Sequence, residues 1–387
     1  MSKKATLPQK RTELKEQMTR FRALPEYMLD GIGALLQYLI SPKTARSRKS
    51  FLPENVSEQY QDSFPSFWLS GALIATFTFL IGWLVSYASA YRPTTEELRL
   101  MIWSSFAGAL ALIVNKVNIR TFLDTFRKSC VDRMLCVSDI DELSGWLQRN
   151  FGLWLPLLSG LAVGPLLGRI LYASWLKVPE TQAVFQLGPF VTIVLSCIQA
   201  VWVAFYLYPF YVAFPSRLNR YRFDLYTSNP SSSEVIEQLS RLLTFILYAT
   251  MGYIVQLTIG LTYIGVLNTA NPLPIVIFSV FVWAPTVVLY ATGQFHLSNV
   301  ITYAKWKTLN EVQSKIESLY NSTSIPDKDL LDHIDKLMDY HDRIKSTPNS
   351  ALDFRTGLNF LNSLLFPILA FFLKDVPTYI NTLIPRN

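Results

Sequence analysis

The decisive stretch of this sequence runs from Leu242 to Ala304 and reads LLTFILYATMGYIVQLTIGLTYIGVLNTANPLPIVIFSVFVWAPTVVLYATGQFHLSNVITYA. Its 63 residues include no Asp, Glu, Lys or Arg. A soluble domain needs charged side chains at its surface, whereas the hydrocarbon core of a bilayer excludes them. Because about 20 apolar residues are enough for a helix to cross that core, the stretch predicts two membrane-spanning helices, near 243–267 and 273–297.

Most of the remaining chain repeats this pattern. Uncharged windows predict further helices near 66–88, 99–115, 151–169, 185–210 and 358–373. The last window is short and contains Pro367, so it either crosses the membrane or enters and returns on the same side. The predicted fold class is all-α: a polytopic α-helical membrane protein with six or seven transmembrane helices and a cytoplasmic helical layer.

Composition agrees with this fold, and the basic residues predict its orientation. The chain has 387 residues, of which 50% are hydrophobic and 16% charged, and its net charge is +7. With the N-terminus inside the cell, 29 of the 35 lysines and arginines fall in the inside segments 1–60, 116–150, 216–241 and 305–357. Cytoplasmic loops carry such an excess, so we predict a multi-pass protein of the cell membrane with a cytoplasmic N-terminus. We expect the lipid bilayer as a partner and no nucleic acid.

These segments divide the chain into four parts. We expect basic N-terminal helices in 1–60, a transmembrane bundle with two cytoplasmic loops in 61–304, a cytoplasmic helical hairpin in 305–357, and a last membrane helix with its tail in 358–387.

Two loops carry more specific signals. Ser138 and Asp141 have the spacing of a capping box and predict a helix start, from which Leu143, Trp146 and Leu147 would lie along the membrane surface. Basic clusters beside the spans indicate contact with lipid headgroups, although a topology signal alone would also produce them. Their residues are Lys43, Arg46, Arg48, Lys49, Arg217, Arg220 and Arg222.

Catalytic and metal-binding signals are weak. The predicted spans lack the acidic residues that relay protons or bind ions in coupled carriers. The sequence contains no HExxH zinc motif, no GxxxxGK[ST] phosphate loop and no GxSxG nucleophile elbow. We interpret Cys130, Cys136 and Cys197 as free thiols, and we expect no metal site and no cofactor. An enzyme is less expected than a protein without catalytic activity.

Neutral polar residues inside the spans are the candidate lining of a pore. They are Gln199, Gln256, Gln294 and His296. His296 has two interpretations, a pH-sensing group or an interfacial histidine bonded to a backbone carbonyl.

Glycines at four-residue intervals predict close helix packing. They are Gly160, Gly164 and Gly168 in the third span, with Gly252 and Gly260 in the fifth. Small residues at this spacing let two helices approach closely. The contact lies within one subunit, between subunits, or at a surface that slides during gating.

Two functions follow as hypotheses. The first is a channel-like or pore-like membrane protein with a neutral polar lining, assembled as a homo-oligomer. The alternative is a membrane signalling or scaffold subunit that binds a protein partner through its cytoplasmic helices at 305–350.

Overall fold

The computed structural model describes residues 6–40, 64–176, 185–218, 220–264, 284–322 and 328–350. No strand occurs in these ranges, where an isolated bridge joins Met134 to Phe223, so the all-α prediction is confirmed for them. The long helices are α1 (Leu7–Arg20), α2 (Leu24–Ile40), α3 (Phe64–Ala88), α4 (Thr95–Thr125), α5 (Val137–Asn150), α6 (Trp154–Leu176), α7 (Leu187–Tyr208), α8 (Glu234–Tyr263), α9 (Ala284–Ser322) and α10 (Lys328–Ser346).

Five of the described segments are long and apolar enough to cross a membrane, and they contain α3, α4, α6, α7 and α8. This indicates an α-helical membrane protein. The first part of the predicted span 273–297 and the whole of 358–373 lie outside the described residues. The predicted helix near 99–115 is longer than expected, because α4 continues without a break to Thr125.

Helix α7 occupies the centre of the described bundle and packs against α6, α4 and α3. Its contact with α6 runs along Gly160, Gly164 and Gly168. A Cβ atom on Gly164 would lie 2.7 Å from the Cα of Ile198, and one on Gly168 would lie 2.9 Å from the Cα of Val194. Side chains at these positions would collide with the backbone of α7, so glycine is what allows the two helices to approach.

The opposite face of α6 is covered with exposed apolar side chains. Leu158, Leu161, Leu166 and Ile170 are each more than half exposed within the described chain. A water-soluble protein rarely exposes a continuous apolar surface of this kind. The face is therefore suited to contact with lipid chains.

We call α1, α2, the last turns of α4, the segment 126–136, α5 and the connection from 214 to 234 the charged layer. The main hydrophobic core extends from the bundle into this layer. Aromatic rings fill it: Phe214 lies 5.0 Å from Phe122 and 4.8 Å from Phe126, between ring centroids. Phe151 stacks on Tyr206 at 5.8 Å. This core joins the ends of α4 and α7 to α5, so the charged layer and the bundle form one packed unit.

The structure corrects two expectations about α5. The helix begins at Val137 with Cys136 as its N-cap, so Ser138 lies inside the first turn and does not cap it. Leu143, Trp146 and Leu147 are buried, because the aromatic core covers the face that we predicted to lie on the membrane surface.

Within the charged layer, ion pairs join α2 to the end of α4. Glu26 is fully buried and pairs with Arg120 of α4, while Asp30 accepts from Lys116 at 2.8 Å. Burial raises the pKa of Glu26, whereas the Arg120 charge and the N–H of Ala23 act to lower it. Because a buried carboxylate needs such partners, these contacts fix α2 against the end of the bundle.

The predicted sixth span and the first arm of the hairpin are one helix. Helix α9 has 39 residues, which corresponds to a length of about 58 Å. Its far half packs against α10 through Val312, Ile316 and Ile334. At the base of the hairpin the buried Lys305 ammonium donates to the carbonyl oxygens of Lys345, at 2.8 Å, and Thr347, at 2.7 Å, which shows that the two arms are antiparallel.

A larger residue at the α6–α7 contact tests this packing. We expect Gly164→Leu to lower the stability of the purified protein by about 1–3 kcal/mol or more, because overpacking forces the helices apart. Ala162→Leu, on the exposed face of α6, is the matched control and should leave the thermal midpoint in detergent unchanged. Equal midpoints for the two variants would show that α6 does not pack on α7 as described.

Candidate functional site

A row of small and polar residues follows the contact between α3, α4 and α7, and we call it the polar seam. Helix α3 contributes residues four positions apart, and α7 contributes a matching set. The seam residues are Thr78, Gly82 and Ser86 on α3, Gly108 on α4, and Gly188, Thr192, Ser196 and Gln199 on α7. This spacing places the members of each set on one face of their helix.

One end of the seam is closed by glycines that face each other. A Cβ atom on Gly188 would lie 2.6 Å from the carbonyl oxygen of Gly82, and one on Gly82 would lie 3.0 Å from that of Gly188. The hydroxyl of Thr192 donates to the Gly188 carbonyl at 3.1 Å. The backbones of α3 and α7 therefore touch at this level, as small residues permit.

The middle of the seam is filled by the side chain of Gln199, which is 7% exposed. Its Nε2 donates to the hydroxyl of Thr78 at 3.4 Å. Its Oε1 is directed at Gly108, where a Cβ atom would also lie 3.0 Å from the Cα of Ser196. The absence of a side chain at Gly108 thus provides the space that the amide occupies.

Several buried polar atoms of this region have no hydrogen-bond partner among the described residues. Gln199 Oε1 and the hydroxyl oxygens of Ser86 and Ser105 are in this group. Ser105 lies one turn before Gly108 on α4 and is 2% exposed, and Ser86 is 1% exposed. A buried polar group left unpaired costs about 1–3 kcal/mol, so groups of this kind require an explanation.

The other candidate pore residues do not lie on the seam. Gln256 is on α8, and its buried Oε1 has no partner among the described residues. Gln294 and His296 are on α9, where the His296 ring packs 5.9 Å from that of Phe295 and its Nδ1 is buried without a described partner. The four residues that we predicted as one lining are therefore distributed over separate contacts.

The two glycines of α8 differ from each other. A Cβ atom on Gly260 would collide with the indole of Trp103, so this glycine packs α8 against α4. Gly252 is exposed, and nothing described lies within 4 Å of a Cβ placed there. The described residues therefore show no close helix contact at Gly252, and close packing there stays a prediction.

The arginines that we predicted to contact lipid headgroups lie in different environments. Arg217 pairs with Glu142 at 3.2 Å, so the protein itself holds this charge. The side chains of Arg220 and Arg222 are exposed, while the backbone N–H of Arg222 donates to Asp139 at 2.8 Å. The basic cluster of Lys43, Arg46, Arg48 and Lys49 lies outside the described residues.

The hairpin of α9 and α10 is a second candidate surface. Leu331 and Met338 of α10 are 42% and 49% exposed. Their seven-residue spacing places them on one face of the helix, beside the exposed Asp335 and Asp342. The hairpin core, which includes Ile334, occupies the adjoining face of α10, and Leu331 and Met338 lie at its exposed edge.

The sequence already carried the signal for the seam. Thr78, Gly82 and Ser86 recur every four residues in α3, as the glycines of α6 do. Our prediction of close packing rested on glycines alone, so it did not include a stripe that combines glycine with serine and threonine. Small hydroxyl residues and glycine serve the same purpose in membrane helix contacts.

No three His, Cys, Asp or Glu side chains converge as metal ligands would in the part of the chain that the structure describes. Comparison with protein-family models, with curated proteins and with solved structures finds no match to this chain.

Removing the seam's amide tests the assignment of its free oxygen. We expect Gln199→Leu to be as stable as the native protein or more so, within about 1 kcal/mol, because it deletes a buried acceptor that has no donor. Gly108→Val, at the facing position, should destabilise the protein because its side chain displaces the amide. Thermal unfolding in detergent checks both, and a marked loss of stability in Gln199→Leu would mean that a group of the protein donates a hydrogen bond to Oε1 in the folded state.

Proposed function

We propose that this integral membrane protein provides a pore-like pathway lined by neutral polar groups along the polar seam. The observation that carries the proposal is the unpaired Gln199 oxygen, buried between three helices that are long and apolar enough to cross a membrane. Polar side chains inside membrane helices are costly unless they bind one another or a permeating species. An unpaired amide oxygen is therefore better explained by a ligand than by packing alone.

The contacts of the seam support a pathway that opens by helix movement. Thr78 and Gln199 fill the middle of the seam, and Gly82 and Gly188 close one end. The side chains nearest to these glycines are a threonine and a serine, and because they are small, α3 can slide or tilt against α7 at low steric cost. In this proposal the described structure is the closed state.

We further propose that the protein acts in the cell membrane as a homo-oligomer with its N-terminus and charged layer in the cytoplasm. Exposed Gly252 on α8 supports the oligomer, because a helix of a second copy could approach closely there. The excess of basic residues in the segments of the charged layer supports the orientation.

Flux measurements in liposomes test the pathway. We expect the purified protein to increase solute flux and Gln199→Leu to abolish the increase, since leucine removes the polar group in the middle of the seam. Gln256→Leu is the matched control, because it makes the same change on α8 and should retain the flux. Equal flux in both variants, or none with the native protein, would contradict the seam as a pathway.

A scaffold function is the second candidate, supported by the exposed face of α10. Leu331 and Met338 provide an apolar strip, and Asp335, Asp339 and Asp342 lie near it. The like charges of Asp335 and Asp339, four residues apart, repel each other weakly. A basic amphipathic helix of a cytoplasmic protein would relieve this repulsion and cover the strip.

Binding of a basic amphipathic peptide to the full-length protein tests this candidate. We expect Leu331→Glu with Met338→Glu to weaken binding about tenfold or more, which is 1.4 kcal/mol, and added salt to weaken it further. Leu135→Glu, at another exposed leucine of the charged layer, is the control. Equal affinity in the two variants would contradict docking at α10.

A further inference from the structure

We propose that the ligand of the polar seam is water, held at Gln199 and at Ser86, and that the seam excludes ions. This inference deepens the proposed pathway by naming the species that it accommodates. It rests on the proposed function for its transport aspect, while the binding of water can be measured independently.

The free groups define what the ligand must do. Gln199 Oε1 is an acceptor, so its ligand must donate a hydrogen bond. The free hydroxyls of Ser86 and Ser105 both donate and accept. Water meets both requirements, and a buried water molecule commonly makes about three hydrogen bonds to such groups.

An ion would require charge compensation that the seam does not provide. Moving a small ion from water into a medium of low dielectric constant is strongly unfavourable, so buried ions bind beside opposite charges. The residues of the seam are glycines, hydroxyl residues and one amide, which are all neutral.

The carboxylates nearest to the seam along α4 already have hydrogen-bond or ion-pair partners. Glu97, one turn before Met101, accepts from the Tyr91 hydroxyl at 2.8 Å and from the Thr94 N–H at 2.7 Å. Beyond Gly108, towards the charged layer, the next charged residues of α4 are the cations Lys116 and Arg120. Their partners are the α2 carboxylates Asp30 and Glu26, which they neutralise. Neither end of the seam therefore has a free carboxylate among these residues that would attract a cation.

Met101 offers a natural probe of water in the seam. Its side chain is fully buried, and its Cε would lie 3.0 Å from a Cβ atom on Gly82. Hydroxyl radicals generated by a brief X-ray pulse oxidise a buried methionine efficiently only where water is held beside it. Met251 on α8 is equally buried, at 2% exposed, and is not part of the seam, so it serves as the internal control.

The experiment uses the full chain in liposomes, with mass spectrometry to measure methionine oxidation after the pulse. We expect Met101 to be oxidised well above Met251 in the native protein. The double variant Ser86→Ala with Gln199→Leu should lose this excess, because it removes the free oxygens that hold the water. Oxidation of Met101 no higher than that of Met251 in the native protein would overturn the inference.

Two flux assays on the same liposomes separate this inference from the pathway itself. An osmotic jump followed by light scattering measures water permeability, and an entrapped potassium-sensitive dye measures ion flux. Water flux without ion flux, lost in Gln199→Leu and retained in Gln256→Leu, supports both proposals. Potassium flux that is abolished by Gln199→Leu would overturn the inference that the seam excludes ions, while the proposal of a pathway along the seam would stand. Oxidised Met101 without either flux would support bound water and contradict the pathway.

Discussion

The fold depends on the approach of three helices to α7 at positions where side chains are small. In water, apolar surfaces drive helices together, but lipid chains solvate a leucine as well as a neighbouring helix does, so close contact must supply the attraction instead. Gly164 and Gly168 of α6 meet the backbone of α7, and so does Gly82 of α3. Bulky residues are directed outwards, as the exposed leucines of α6 are. At these contacts with α7 the small residues therefore lie inside and large apolar residues of α6 lie outside, which is the opposite of the usual arrangement in a water-soluble protein.

The same contacts connect structure to the proposed activity. Small residues create room for polar groups between helices, and the amide of Gln199 uses the room left by Gly108. The side chains that cover Gly82 and Gly188 are those of Thr192 and Ser86, which are small and offer little resistance to movement of α3. The charged layer contrasts with this arrangement: its aromatic core and the buried Glu26–Arg120 pair fix α2 and α5 in place. The charged layer is held by bulky rings and an ion pair, whereas the seam is lined by small side chains. This difference is compatible with a movement of α3 against α7 that is confined to the seam.

The sequence predicted much of this architecture but not its contacts. Absence of charge identified the spans, because burial in lipid leaves a strong compositional signal, and helices were also predicted in 1–60 and 305–357, where α1, α2 and the arms of the hairpin lie. It did not predict that α5 would be buried, because its amphipathic face suits a membrane surface and an aromatic core equally well. Nor did it pair Glu26 with Arg120, residues far apart in the chain. Gln199 lies on the polar seam, whereas Gln256, Gln294 and His296 lie on α8 and α9, away from it. The sequence could not predict this, because the periodicity of one helix does not specify which neighbouring helix each face contacts.

The central claim is that the polypeptide crosses a membrane at α4, so that the turn before this helix and the charged layer after it lie on opposite sides. Cys136 in the charged layer is half-buried and free, while Cys130 and Cys197 are buried. Labelling of Ser89→Cys and of native Cys136 with a membrane-impermeant maleimide, before and after permeabilisation of cells, measures this directly. The account predicts that Cys136 reacts only after permeabilisation and the cysteine at position 89 reacts without it. Labelling of both from the same side would contradict the account.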